Sequence, residues 1–451
     1  MKIFGSAFFV LLLFSTTGRE LFSQEKDKEH FDLSGRFVTR GMSTFNENDL
    51  TNYSIMVSHL NLKMVYSPNS WLSFKMAGVG LVNYVTDNLL VIDPTTGFGP
   101  IYEANLWSPR YMSGTSEFML SETSATFKLK RHSLEIGRFV KDTPIMNGEK
   151  WPFPNALQGL WYKMQQSNKI QLQFGLINRI ASRFSGDFLW MGESIGQAGW
   201  GVGLDGNLSQ YYMATSSDYL GILNFSWESK KGLKLNIWDY HLDNISNTLF
   251  LETDVLLSPE KQLSFSAQAI IQSRIGEGGN ANPDLRYFTD EQSYSFGFRL
   301  KKKFEQSSLE LNYNRITGNG RMLMPREWGV EPFYTLQRRT RLEGASGATS
   351  LVARYNQAII KSYGEFNFST SAGLHDLANP RIDYAENKYF QPSNVNLDLA
   401  VKFSPVKHLK GASLELFLMH RFLNQDIENE PEYIINRVNF TQIDITFNYT
   451  F

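Results

Sequence analysis

The chain has 451 residues, 44 of them basic and 45 acidic, for a net charge of -1. That balance gives no reason to expect a nucleic-acid partner, and the absence of cysteine excludes disulfides, thiolate metal sites and a lipidated cysteine behind any leader. Aromatic side chains reach 14% (34 Phe, 20 Tyr and 9 Trp) while mean hydropathy is negative, so apolar surface is drawn from scattered positions and not from one continuous run.

Residues 1–23 read as a secretory signal: Lys2 gives the positive start, Ile3 to Phe14 an apolar run, and Ser15 to Ser23 a small and polar exit. That run is too short to cross a bilayer as a helix. Cleavage after Ser23 leaves Gln24 first. No linker, charge block or low-complexity segment divides the rest of the chain, so 24–451 is expected to be one domain.

From Gln24 onward apolar residues recur at every second position, the period that gives each face of a strand its own row of side chains. Tyr219, Leu223, Phe225 and Trp227 form such a row, as do Leu263, Phe265, Ala267 and Ala269, then Tyr294, Phe296, Phe298 and Leu300, and Val395, Leu397, Leu399, Val401 and Phe403. At the C-terminus Ile443, Ile445, Phe447, Tyr449 and Phe451 alternate with Gln442, Asp444, Thr446, Asn448 and Thr450. Such runs predict about eighteen strands, most near the length a tilted strand needs to cross hydrocarbon.

Connections alternate in length. Short turns rich in Ser, Pro, Lys and Gly fall at 67–70, 167–169, 229–232, 258–261 and 305–308. Long ones fall at 86–116, 139–155, 182–217, 274–291, 318–348, 374–393 and 424–437, after a short first one near 43–52. Short periplasmic turns at one rim and long extracellular loops at the other are the layout of an all-β, antiparallel transmembrane barrel. Only a closed barrel pairs every backbone group of such strands in lipid.

Two regions carry a resemblance. Asn314-Arg315-Ile316-Thr317, Met324-Pro325-Arg326-Glu327-Trp328-Gly329 and Glu331-Pro332-Phe333-Tyr334 form one; Gly137-Arg138-Phe139, Thr143-Pro144, Pro152-Phe153-Pro154 and Gln158-Gly159 form the other. Both resemble the OprD family of outer-membrane porins, in its Bacteroidetes-like branch. The resemblance implies an eighteen-stranded barrel whose third and seventh long loops fold inward to narrow the pore. Counting the short first one, 139–155 is the third long connection, and 318–348, the sixth of those marked, is taken as the seventh. It also implies a ladder of basic side chains that guides carboxylate-bearing solutes, for which Arg36, Arg40, Lys128, Arg179, Arg299 and Arg354 are the candidates, with Lys63, Lys130, Arg274, Lys301 and Lys402 on the same face. Inward acids such as Glu122, Glu252, Asp254, Glu310, Asp398 and Glu415 temper it.

Fixed charge along a narrow aqueous path selects solutes by sign, because low-dielectric walls focus the field. In the seventh loop Arg321, Arg326, Arg338, Arg339 and Arg341 face only Glu327, Glu331 and Glu343. Arginine suits a carboxylate, since its planar fork gives two hydrogen bonds and stays charged. The alternative for each is to tie the loop to the wall. Lys141, Asp142, Glu149 and Lys150 of the third loop are the candidates for the opposite side, stiffened by Pro144, Pro152 and Pro154. The glycines Gly196, Gly199, Gly201, Gly203 and Gly206 have no helix pattern after them and read as loop flexibility, not a phosphate cradle.

Seven histidines show no metal spacing, and no Ser, His and acid stand in a recognisable triad. The expected function is passive diffusion of small anionic or zwitterionic solutes (amino acids, short peptides, carboxylates), with neither enzyme activity nor cofactor. The alternatives are a barrel hydrolase and a plugged surface-attachment barrel. The partners expected are outer-membrane lipid, the solutes themselves and the barrel-insertion machinery, which would meet the last strand ending at Phe451.

Overall fold

The computed structural model describes residues 30–451 except 85–88, 108–114, 148–151, 184–185, 198–200, 231, 407–408 and 428–429. The signal segment 1–23, Glu149 and Lys150 lie outside the described residues. β1 (His30–Asn46), β2 (Tyr53–Asn69), β3 (Leu72–Asn83), β4 (Ser116–Leu129), β5 (His132–Val140), β6 (Ala156–Ser167) and β7 (Ile170–Ala181) follow one another as antiparallel neighbours. A two-residue strand, β8 (Leu189–Trp190), pairs with the end of β7. The wall resumes with β9 (Leu220–Glu228), β10 (Lys234–Leu242), β11 (Ser246–Ser258), β12 (Leu263–Arg274), β13 (Gln292–Lys303) and β14 (Ser307–Ile316). It ends with β15 (Thr349–Lys361), β16 (Gly364–Asp376), β17 (Asn394–Pro405), β18 (Ala412–Leu423) and β19 (Phe440–Thr450).

β19 pairs with β1 from Arg36↔Thr450 to Asn46↔Phe440, so eighteen strands close on themselves and β8 is an addition. The expected all-β barrel is therefore the observed one. Closure leaves the wall without an unpaired edge, the condition for a sheet in lipid.

The period-two rows fall where alternation puts them. Ile445, Leu397, Leu399, Phe296, Phe298 and Leu300 point outward and are exposed, while Gln442 and Asp444 are buried within. Short connections such as 168–169, 259–262 and 304–306 lie at the rim opposite the long ones. A three-residue connection, 243–245, is the fifth on the long-loop side, which makes 317–348 the seventh.

The inner face is not uniformly polar. On β5 to β12 it carries Phe139, Leu157, Trp161, Ile177, Ile180, Ile222, Trp238, Tyr240 and Phe250, and onto these pack Ile145 and Met146 of the third loop with Leu323, Met324, Trp328 and Phe333 of the seventh. Burial of these side chains is what holds the two loops inside the barrel. Across the lumen, β1 to β4 and β13 to β19 keep charged and amide side chains inward, including Arg40, Lys63, Lys75, Glu122, Glu310 and Asp444.

A lysine in the middle of the outward row should be costly where one in the inward row is not. Ile445→Lys is expected to destabilise the barrel by about 2–4 kcal/mol, against under about 1 kcal/mol for Thr446→Lys. Urea unfolding in lipid vesicles measures both, and equal losses would contradict the assigned faces.

Candidate functional site

The third and seventh loops meet inside the barrel. Asn147 donates to the carbonyls of Pro144 and Val330 (both 3.0 Å) and accepts from the Val330 amide (3.0 Å), while Asn155 donates to the Trp328 carbonyl (2.5 Å). Gly329 fits there because it has no side chain: at φ +159 a Cβ would stand 2.7 Å from the Ile145 carbonyl oxygen. Trp328 is buried and donates from Nε1 to Ser194 Oγ of the fourth loop (3.0 Å).

From that junction the seventh loop crosses the lumen, bonding to one wall strand after another. Gln268 of β12 donates to the Pro332 carbonyl (3.1 Å), and the Tyr334 hydroxyl donates to Glu252 of β11 (2.9 Å). Arg354 of β15 donates to the Leu336 carbonyl (2.8 Å), and Gln337 donates to Ser371 of β16 (2.8 Å). Arg338 pairs with Glu415 of β18 (2.7 Å) and lies over the Phe417 ring, and Arg339 pairs with Asp444 of β19 (2.7 Å).

Where this loop returns, a cavity of about 420 Å³ opens. Its lining includes Arg183, Arg326, Arg338, Arg339, Arg341 and Arg437, with Glu343 the one carboxylate among the described residues that line it. Arg326 is paired with Glu343 (2.6 Å) and lies over the Tyr389 ring. Arg341 donates to the Gly329 carbonyl (3.2 Å) and makes no ion pair among the described residues. Arg183 donates from Nε to the Arg326 carbonyl (2.7 Å), close to buried Glu327. Burial pulls Arg339 and Arg437 down to about 10, and both stay charged at neutral pH. Burial also pushes the Glu331 carboxyl up to about 7 and pulls Lys388 down to about 7.

The structure thus gathers Arg326, Arg338, Arg339 and Arg341 as one group. Arg321 stands apart. Its guanidinium donates to the carbonyls of Val202 (2.7 Å), Gly203 (3.0 Å), Tyr384 (2.5 Å) and Ala385 (2.8 Å), so it clips the fourth, seventh and eighth loops together and follows the alternative reading. Lys141 and Asp142 are also outside the cavity. Lys141 turns instead to Glu135 (2.6 Å).

Sequence reasoning missed Arg183 and Arg437, which reach the cavity from the fourth and ninth loops. It also missed Arg421, a fully buried side chain that donates to the carbonyls of Arg339 and Arg437 (both 2.8 Å). The glycine-rich stretch needs correcting too: Gly201, at φ +66, would bring a Cβ to 2.3 Å from the Lys388 carbonyl oxygen, so it permits close packing of the fourth loop on the eighth instead of flexibility.

Along the wall, cations share carboxylates. Arg40 and Arg339 share Asp444; Lys301 and Arg354 share Glu310; Lys63, Lys75 and Lys141 share Glu122 and Glu135. Each node holds one cation more than it holds acids. Arg36 donates to Asn448 (2.6 Å), Arg299 pairs with Asp254 (3.3 Å), and Lys128 stands exposed near the short-turn rim. Arg179 does not belong to the ladder. A bulge beside Gln158 and Gly159 inserts Asn178, so the row Gln173, Gly175 and Ile177 continues inward through Ile180 while Arg179 points outward over the Trp190 ring.

Arg321→Ala removes four charge-assisted bonds and strands their acceptors, a loss of about 2–4 kcal/mol to the loop assembly. Limited proteolysis of the intact protein should then cut the fourth loop near 201–208 faster than in the wild type, with the barrel left whole.

No family model and no curated protein matches the chain. Solved structures do. OccAB3 of Acinetobacter baumannii is 12% identical, covering 93% of this chain and 99% of its own, with a TM-score of 0.68. OccK8 (OprE) of Pseudomonas aeruginosa is 13% identical over 93% and 98%, also at 0.68. OpdK of Pseudomonas aeruginosa, solved with vanillate, is 11% identical over 93% and 98%, at 0.67. These neighbours are porins of the OprD family. The eighteen-stranded wall and its extent accordingly identify the fold of this chain as that of the OprD-family porins.

Proposed function

We propose that the chain is a passive channel of the bacterial outer membrane for small carboxylate-bearing solutes, narrowed by the third and seventh loops. The observation that carries this reading is the cavity lined by six arginines and one glutamate. In low-dielectric surroundings such a cluster raises the local concentration of anions, and each guanidinium offers a carboxylate two parallel hydrogen bonds. The vanillate in the OpdK structure is a carboxylate of this size class. Below the cavity, the nodes with a surplus cation give a carboxylate successive places to rest, weak enough to leave because each cation already shares an acid.

Of the four seventh-loop arginines that line the cavity, Arg341 alone has no ion pair among the described residues, so within that loop its charge is the one most available to a solute. Arg341→Ala is expected to lower anion preference about threefold in reversal-potential measurements on planar bilayers, and Ala at Arg326, Arg338 and Arg339 together to lower it further. Unchanged selectivity in all four would make these arginines purely structural. Absence of stepwise conductance in the wild type would sink the channel reading in favour of a plugged barrel.

Acidification should strengthen the preference. As pH falls from 8 to 6, Glu331 takes up a proton and loses its negative charge, while Lys388 takes one up and gains a positive charge. Both changes have the same sign. A rise of about twofold in the anion-to-cation permeability ratio is expected, with its midpoint near 7, and Glu331→Gln together with Lys388→Met should flatten it.

A further inference from the structure

Two arginines occupy the outer face of the wall near its long-loop rim. Arg138 of β5, Gln158 of β6 and Arg179 of β7 lie side by side in register. Their outward direction is set by neighbours: Thr123, opposite Arg138, is exposed, and Ile136, two residues before it, is 47% exposed. Beside them a dent of about 380 Å³ interrupts the outer surface; Arg138, Gln158 and Asn178 line it, and Arg179 follows Asn178 at its margin. Its floor is backbone, because Gly137 and Gly159 stand there at φ +121 and +156, where a Cβ would collide with the carbonyl oxygens of Thr123 and Leu176.

Each guanidinium is held over a ring, Arg138 over Phe188 and Arg179 over Trp190, with Cζ 4.1 Å from the centroid in both, which restrains the side chain and leaves N–H groups to donate. Arg138 uses Nε on Gln158 (3.1 Å), whereas Nε of Arg179 is buried without a hydrogen-bond partner. Neither makes an ion pair among the described residues. Cations on a lipid-facing surface are unfavourable except near the headgroups, and a pair of rigid guanidiniums is suited to a phosphate.

We propose that this dent binds the phosphorylated headgroup of an outer-leaflet lipid, with Arg138 and Arg179 gripping the phosphate and the acyl chains lying down the wall over Ile136, Phe174 and Leu176. The inference rests on the outer-membrane reading above. It concerns the outer surface and leaves the solute path untouched.

The test is native mass spectrometry of the full-length protein in a non-ionic detergent. The probes are a phosphorylated lipid A, the same lipid with its phosphates removed, and inorganic phosphate. Wild type should retain the phosphorylated lipid, and Arg138→Gln with Arg179→Gln should weaken that binding at least tenfold while planar-bilayer conductance stays unchanged. Equal retention by wild type and the double variant overturns the site, as does equal retention of the dephosphorylated lipid. If inorganic phosphate displaces the lipid at comparable concentration, the site is for free anions and the lipid proposal fails. A wild-type protein that binds the lipid but does not conduct would instead count against the channel reading alone.

Discussion

The structure depends on one constraint: each amide and carbonyl of a strand that crosses lipid has to be paired within the sheet. Register between β19 and β1 over Arg36↔Thr450 to Asn46↔Phe440 satisfies it for the two strands that would otherwise be edges. Once the ladder closes, alternation sorts side chains without further choice, one row to lipid and one to the lumen. The inward row then has two ways to be satisfied. Where β5 to β12 carry Phe139, Trp161, Trp238 and Phe250 it is apolar and covered by loops; at other positions it is charged, and its cations share carboxylates.

That division explains why the third and seventh loops enter the barrel at all. An apolar inner wall facing only water would forfeit the burial of Trp161, Trp238 and Phe250, so Met146, Met324 and Trp328 are drawn onto it. Polar bonds then fix the position that burial leaves loose, from Asn147 at the junction to Arg339 at the far wall. The loop backbone presents its arginines to the remaining space, and their charges survive because Glu343, Glu415 and Asp444 stand beside three of them.

Much of the fold was legible in the sequence because period two is a local property: Ile443 to Phe451 shows it without knowledge of any partner. The seventh-loop arginines were legible as a group but not in their roles. Arg321 and Arg326 are five residues apart in one loop, yet one meets four carbonyls from two other loops and the other meets Glu343. Such partners lie from 17 to 119 residues away, beyond any local pattern. Arg179 failed for a different reason. Counting by twos from Gln173 puts it inside, and a single inserted residue, Asn178, reverses the phase without a trace in composition.

Asp444 has a consequence for assembly. It belongs to the last strand, accepts from Arg40 of the first, and holds Arg339 of the seventh loop. Until β1 meets β19, that carboxylate has Arg339 but lacks Arg40. Sealing the wall therefore completes the bonding of the group that fastens the far end of the seventh loop, so the seam of the barrel and the last tether of its inner loop share one carboxylate.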